Sequence, residues 1–202
     1  MKSPIRLACL SSLLLTLAHT APAGAVAEIT AVSADGSGLG SFELFVIDQT
    51  DRRLEFNKVF DHFGPIILTF KVEHGDGTGG SYSVLEDIAN NTGQTWRDFR
   101  FDLVEPGDGY GVTFDTQISP SLTGLILHSS GPQTLRFVGD LSNGGVPAAV
   151  YGLSLPDPDV GYSYTFQLIQ TPAIPEPGAW AMIVTGLLAV ASLVTRASSN
   201  HL

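Results

Sequence analysis

Strict alternation of apolar and polar residues runs through the middle of this chain, and it constrains the fold more than any other feature. In "PIILTFKVEHG", Ile66, Leu68, Phe70 and Val72 share one parity, and Thr69, Lys71 and Glu73 take the other. "RDFRFDLVEPG" sets Phe99, Phe101 and Leu103 against Arg100 and Asp102. "GYSYTFQLIQ" sets Tyr162, Tyr164, Phe166 and Leu168 against Ser163, Thr165 and Gln167. Side chains alternate between the two faces of a strand, so a period of two means strands with one buried face. "FELFVI", "YSVLEDI", "GVTFDTQI", "LTGLILH", "TLRFVG" and "VPAAVYGL" are further strand candidates, while "TDRRLEFNKVF" fits either a strand or a short helix. Between them "DGSG", "HGDGTGG", "PGDGYG" and "SNGG" supply the Asp-Gly and Asn-Gly pairs that tight hairpin turns require. Turns spaced about 8–12 residues apart predict an all-β domain, an antiparallel β-sandwich of Ig-like or jelly-roll-like kind. Its expected bounds are residues 28–170, with "LPDPDVG" as a loop before the last strand.

The two ends differ in kind from this body. "MKSPIRLACLSSLLLTLAHTAPAGAVAEIT" has the three parts of a secretory signal peptide. Lys2 and Arg6 form the positive region, and Leu7 to Ala18 form the apolar region. Ala25 and Ala27 supply the small residues before a cleavage point at Glu28, with "APA" at Ala21–Ala23 as the alternative. The expected signal peptide is residues 1–27. Cys9 precedes most of the apolar run, which is the wrong place for a lipidated cysteine. It is also the chain's only cysteine, so disulfides, thiolate catalysis and Cys-bound zinc have no place in the processed protein.

At the other end Gly178 to Thr195 are 18 consecutive residues without a charge. As a helix they would cover roughly 27 Å, close to the thickness of a hydrocarbon core. Trp180 at one end suits the headgroup region, and Arg196 at the other places the body outside the cytoplasm. Residues 178–202 are therefore expected to form a single transmembrane helix and short tail. Residues 171–177 are expected to be a Pro-rich stalk holding the sandwich off the membrane.

"IPEPGAWAMIVTGLLAV…TR" resembles the PEP-CTERM sorting region of Gram-negative bacterial surface proteins, here residues 173–202. Pro175, Glu176 and Pro177 match the motif, and Trp180, Ala181 and Met182 match the helix entry. Arg196 stands where the family usually has several arginines. The resemblance implies recognition by exosortase, a membrane-embedded enzyme with a cysteine nucleophile that cuts near the motif. Proline chemistry is compatible: Pro175 and Pro177 keep the segment extended and stop the helix from propagating outward. "NNTGQTWRDFRFDL" is also similar to a segment of other such proteins. The implied localisation is an inner-membrane anchor with the body in the periplasm, then the cell surface or extracellular matrix after processing.

Charge and motif spacing narrow the chemistry. Net charge is −10, and without residues 1–27 eight basic and 20 acidic side chains remain. Such a surface repels phosphate backbones, which argues against nucleic acid as a partner. "GDGTGG" from Gly75 matches G-x-G-x-x-G, but the strand-like "SYSVLEDI" follows it where a dinucleotide site needs a helix. No G-x-S-x-G elbow occurs, and His62, His74 and His128 lack metal-ligand spacing. Asp35, Asp76, Asp108, Asp157 and Asp159 could serve calcium in loops, yet no EF-hand or nonapeptide repeat accompanies them. The same aspartates suit turns, so neither metal nor cofactor is expected. "NNT" at Asn90–Thr92 is a glycosylation acceptor only by chance match.

The body is thus expected to be a non-catalytic surface or matrix component. The alternative is an exopolysaccharide-binding module, since sugars stack on exposed aromatic rings. Trp96 and Tyr110 are its foremost candidates, with Tyr82, Tyr151 and Tyr162 behind them. A secreted hydrolase using one of the three histidines is the weaker alternative.

Overall fold

The computed structural model describes residues 26–75, 81–105 and 109–173. Among them there are twelve strands and no helix. In chain order these are β1 (Val26–Asp35), β2 (Leu39–Asp48), β3 (Arg53–Phe60), β4 (Ile66–Gly75), β5 (Tyr82–Asn90) and β6 (Trp96–Val104). The rest are β7 (Thr113–Phe114), β8 (Ser121–Leu122), β9 (Ile126–Ser130), β10 (Thr134–Leu141), β11 (Ala148–Ser154) and β12 (Ser163–Ala173). One sheet has the order β1-β4-β12-β6-β10-β9, and the other runs β2-β3-β5-β11-β7 with β8 also on β11. The two form a sandwich.

The alternation read from the sequence becomes the core. Ile66, Leu68, Phe70 and Val72 on β4 are all buried, as are Phe99, Phe101 and Leu103 on β6 and Tyr164, Phe166 and Leu168 on β12. Phe70 and Phe166 face each other across the β4–β12 register and stack at 4.7 Å. From the opposite sheet come Leu54, Phe56 and Phe60 of β3, Tyr82, Val84 and Ile88 of β5, and Ala149, Tyr151 and Leu153 of β11. Each large side chain so enclosed contributes about 1.5–3 kcal/mol, which is why period two alone specifies which face turns inward.

Four expectations change. Tyr162 shares the parity of Tyr164 but precedes β12 and is exposed, because Asp159–Tyr162 form a turn closed by the Tyr162 N–H on the Asp159 carbonyl. "TDRRLEFNKVF" holds a strand, β3, so the ambiguity resolves to extended backbone. β3 and β5 pair in parallel, in register from Arg53↔Ser83 to Phe60↔Asn90. Antiparallel pairing therefore dominates without being universal: β4 crosses to the other sheet between them, and the chain re-enters in the same direction. Finally, "GVTFDTQI" and "LTGLILH" give only short pieces. Gly124, at φ +82°, breaks the second of them into β8 in one sheet and β9 in the other.

The strands also reach past the expected bounds of 28–170. β1 starts at Val26, and Val26 and Ala27 are both buried. β12 continues through Thr171, Pro172 and Ala173, which the sequence assigns to the stalk. Pro172 is tolerated there because β4 pairs with β12 only as far as Gln170, leaving that side of the strand open. Turn chemistry is demanding at Gly36, between β1 and β2. Its φ of +118° and a Pro65 carbonyl oxygen 2.3 Å from any Cβ admit no other residue without rearrangement.

Candidate functional site

Strand directions give the sandwich two unlike poles. β4 ends and β12 begins at one of them, since Ser163 pairs with Glu73. β12 then runs the length of the sheet, 11 residues or roughly 35 Å. It leaves at the opposite pole, beside the starts of β4 and β6.

The first pole gathers His74 from the end of β4, loop 155–162, and the residues after β6. Glu105 accepts backbone N–H groups from Gly111 (3.0 Å) and Val112, which shapes the segment carrying Tyr110. Tyr110 stacks on Tyr164 at 4.1 Å with the rings 14° from parallel. Tyr164 is in turn fixed by its hydroxyl, which donates to the Pro156 carbonyl at 2.8 Å. Nδ1 of His74 lies 2.9 Å from Asp157 Oδ2 and 3.1 Å from the Pro158 carbonyl oxygen. Two acceptors on one nitrogen place the proton on Nδ1 and orient the ring. Beside this pair is a recess of about 310 Å³ lined by Glu73, His74, Gly161, Tyr162 and Ser163.

Tyr110 is 48% exposed and Tyr162 67% exposed, so two ring faces are offered to solvent at this pole. Tyr110 is held as a platform, with one face against Tyr164. The arrangement can receive an apolar ring face edged by hydroxyls. The Asp157–His74 pair can orient an imidazole, but the three histidines are not brought together: His62 lies in the β3–β4 turn and His128 on β9.

Trp96 corrects the sequence reading. Its exposure is 0%, and it packs between Phe60 (5.0 Å, edge-on) and Phe99 (5.3 Å, stacked), near the opposite pole. Its indole N–H donates to Thr92 Oγ1 at 3.1 Å, and the Thr92 hydroxyl donates to Asn90 Oδ1 at 2.7 Å. Asn90 is also buried, donating to the carbonyls of Gln94 (2.8 Å) and Leu141 (3.1 Å). The "NNTGQTW" segment is therefore a knot tying β5 to β6 across the sheets, and neither Trp96 nor Asn90 can meet a sugar. Tyr82 and Tyr151 are buried as well, which leaves Tyr110 and Tyr162 of the five candidate aromatics.

Burial, with Glu105, Asp157 and Tyr110 nearby, raises the Tyr164 hydroxyl above its ordinary value of 10.0; burial and Glu86 likewise raise Tyr151 in the core. Below that value both tyrosines are protonated folded and unfolded. Above it the unfolded chain releases these protons first, so stability falls as pH rises. Urea midpoints measured from pH 9 upward should decline past about pH 10, and Tyr164→Phe should lessen the decline.

Glu28, Asp35 and Asp159 are described, but Asp76, Asp108 and most of "GDGTGG" lie outside the described residues. So do Ala25, Pro175, Glu176, Pro177, Trp180, Ala181, Met182 and Arg196. Among the described residues no cluster of three His, Cys, Asp or Glu side chains could hold a metal ion.

The site that sequence reasoning missed is inside the core. Lys58, Glu86 and Gln170 occupy inward-facing positions on β3, β5 and β12, and all are buried. Lys58 Nζ lies 2.5 Å from Glu86 Oε2, and Gln170 Nε2 donates to Glu86 Oε1 at 2.9 Å and Oε2 at 3.1 Å. The signal was present: each is a polar residue on the apolar parity of its strand, as in Leu54-Phe56-Lys58-Phe60. Comparison of the chain with protein-family models, with curated proteins and with solved structures finds no match.

Proposed function

We propose that this chain is an exported, non-catalytic surface or matrix module, an Ig-like or jelly-roll-like sandwich delivered by its C-terminal sorting tail. The observation that carries this reading is the course of β12. It begins at Ser163 beside the Tyr110–Tyr162 pole and ends at Ala173 at the other, roughly 35 Å away. A chain held at the inner membrane by that tail presents the tyrosine pole outward, toward whatever the surface or matrix offers. Exosortase-type cleavage near Pro175–Pro177 then releases the module.

At the other end, removal of the signal peptide at Ala23 suits the sandwich better than removal at Ala27. Arg52 Nη1 donates to the Ala27 carbonyl at 2.5 Å, and the Ile29 N–H donates to the Tyr82 hydroxyl at 3.1 Å. Cutting before Glu28 would discard two buried residues and leave Arg52 without that acceptor. Expression with and without an exosortase, followed by terminal peptide mass analysis, tests both ends. The expected product begins at Gly24 and ends near Pro177 only when the enzyme is present. A product that retains Leu202 in both hosts would sink the sorting reading.

The pairing of Tyr110 with Tyr162 at one pole favours a second reading, an exopolysaccharide-binding module. Tyr110→Ala and Tyr162→Ala should each weaken polysaccharide retention about two- to tenfold, the worth of one aromatic contact. Tyr162 is exposed, so its urea midpoint should barely move, whereas Tyr110→Ala also gives up its stack on Tyr164 and should cost about 0.5–1.5 kcal/mol. Retention unchanged in the double variant would end this reading.

A further inference from the structure

The buried Lys58–Glu86–Gln170 group has the parts of an amide-forming centre. We propose that Lys58 and Gln170 become joined by an intramolecular isopeptide bond, with Glu86 as the proton-transfer group, stapling β3 of one sheet to β12 of the other.

Three observations support this. First, one carboxylate oxygen, Glu86 Oε2, contacts both the Lys58 amine (2.5 Å) and the Gln170 amide nitrogen (3.1 Å), so nucleophile and leaving group share the same base. Second, burial pushes the Lys58 ammonium down to about 8 against the opposing influence of Glu86, and an amine must lose its proton before it can attack. Third, Gln170 Oε1 is buried and has no hydrogen-bond partner. The carboxamide cannot relieve this by turning over, because Oε1 would then meet the Glu86 carboxylate. An unsatisfied buried carbonyl costs about 1–3 kcal/mol, and a carboxylate has no proton to give it.

The step balances without any other reagent. Glu86 takes a proton from the Lys58 ammonium, and the neutral Nζ attacks Gln170 Cδ. Protonated Glu86 gives its proton to the departing amide nitrogen and takes back the one carried by Nζ. The Cδ–Nε2 bond breaks, the Cδ–Nζ bond forms, and ammonia leaves. Aromatic neighbours exclude the water that would hydrolyse the intermediate: Phe56 lies under Nζ at 5.5 Å, and the buried Tyr151 hydroxyl is 3.5 Å from Glu86 Oε2. The chain's one cysteine rules out an internal disulfide, so a staple between its sheets would need this chemistry or another like it.

The test is mass spectrometry of the denatured full chain, purified in detergent, with the termini read from their own peptides. The expected result is a mass lower than the sequence by one ammonia, together with a proteolytic peptide pair joining Lys58 to Gln170. Glu86→Gln and Lys58→Arg should restore the full mass. A wild-type mass with no loss overturns the proposal, whatever the variants do. Loss of one water, with Lys58 joined to Glu86, overturns it in favour of direct condensation. Ammonia lost without the linked pair also overturns it.

Discussion

Trp96→Ala should destabilise the sandwich by about 3–5 kcal/mol, the range for emptying an aromatic site in a packed core. The indole lies between Phe60 and Phe99, and Phe99 continues into Phe101, so its loss opens a gap within a contiguous aromatic cluster. It also removes the Nε1–H donor that Thr92 accepts. Thr92 still donates to Asn90, so the knot is weakened at one end rather than dissolved. Trp96→Phe keeps much of the packing and loses the hydrogen bond, and should cost about 1–3 kcal/mol. Urea unfolding read by fluorescence and circular dichroism checks both. A cost for Trp96→Ala below about 1 kcal/mol would mean the side chain is exposed and the burial assigned to it is wrong. Reduced polysaccharide retention in this variant would reflect unfolding, which is why the sugar test belongs to Tyr110 and Tyr162.

Glu86→Leu should cost about 3–5 kcal/mol, and adding Lys58→Met should recover a large part of that loss. In the unlinked chain both side chains are fully buried, and each is the other's counter-charge. With Glu86 gone, the two influences that hold the proton on Lys58 disappear, and only burial remains. The amine is then left dry and unpaired, alongside a Gln170 amide that has lost its acceptor. Methionine in place of lysine removes the demand for a partner at similar volume, so the double variant should be more stable than Glu86→Leu alone. A double-mutant cycle by urea denaturation measures this coupling. Additive losses would show that the two residues do not interact. The mass of each variant reads the proposed linkage separately from its stability.

Much of this architecture was legible because the pleat has a fixed period. Ile66, Leu68, Phe70 and Val72 had to share a face, and only burial makes such a face stable, so their sequence pattern carried their location. Trp96 was less legible. It stands at the first position of β6, three residues before Phe99, off the parity of Phe99 and Phe101, and parity does not apply where a chain enters a strand from a turn. Its burial depends on Asn90 and Thr92, which lie on the far side of that turn. Tyr162 failed in the opposite direction, on the right parity but one residue outside the strand.

The sequence by itself determined most of the strands, the face that β4, β6 and β12 bury, the turn glycines and the acidic composition. All of these depend on neighbours a few residues apart. The tertiary structure decided that β3 and β5 run parallel and that Tyr110 and Tyr162 share a pole. It also decided that Lys58, Glu86 and Gln170 meet. Lys58 is 28 residues from Glu86, and Glu86 is 84 from Gln170. Alternation tells a residue which way to point; only the packing of one sheet on the other tells it what it will touch.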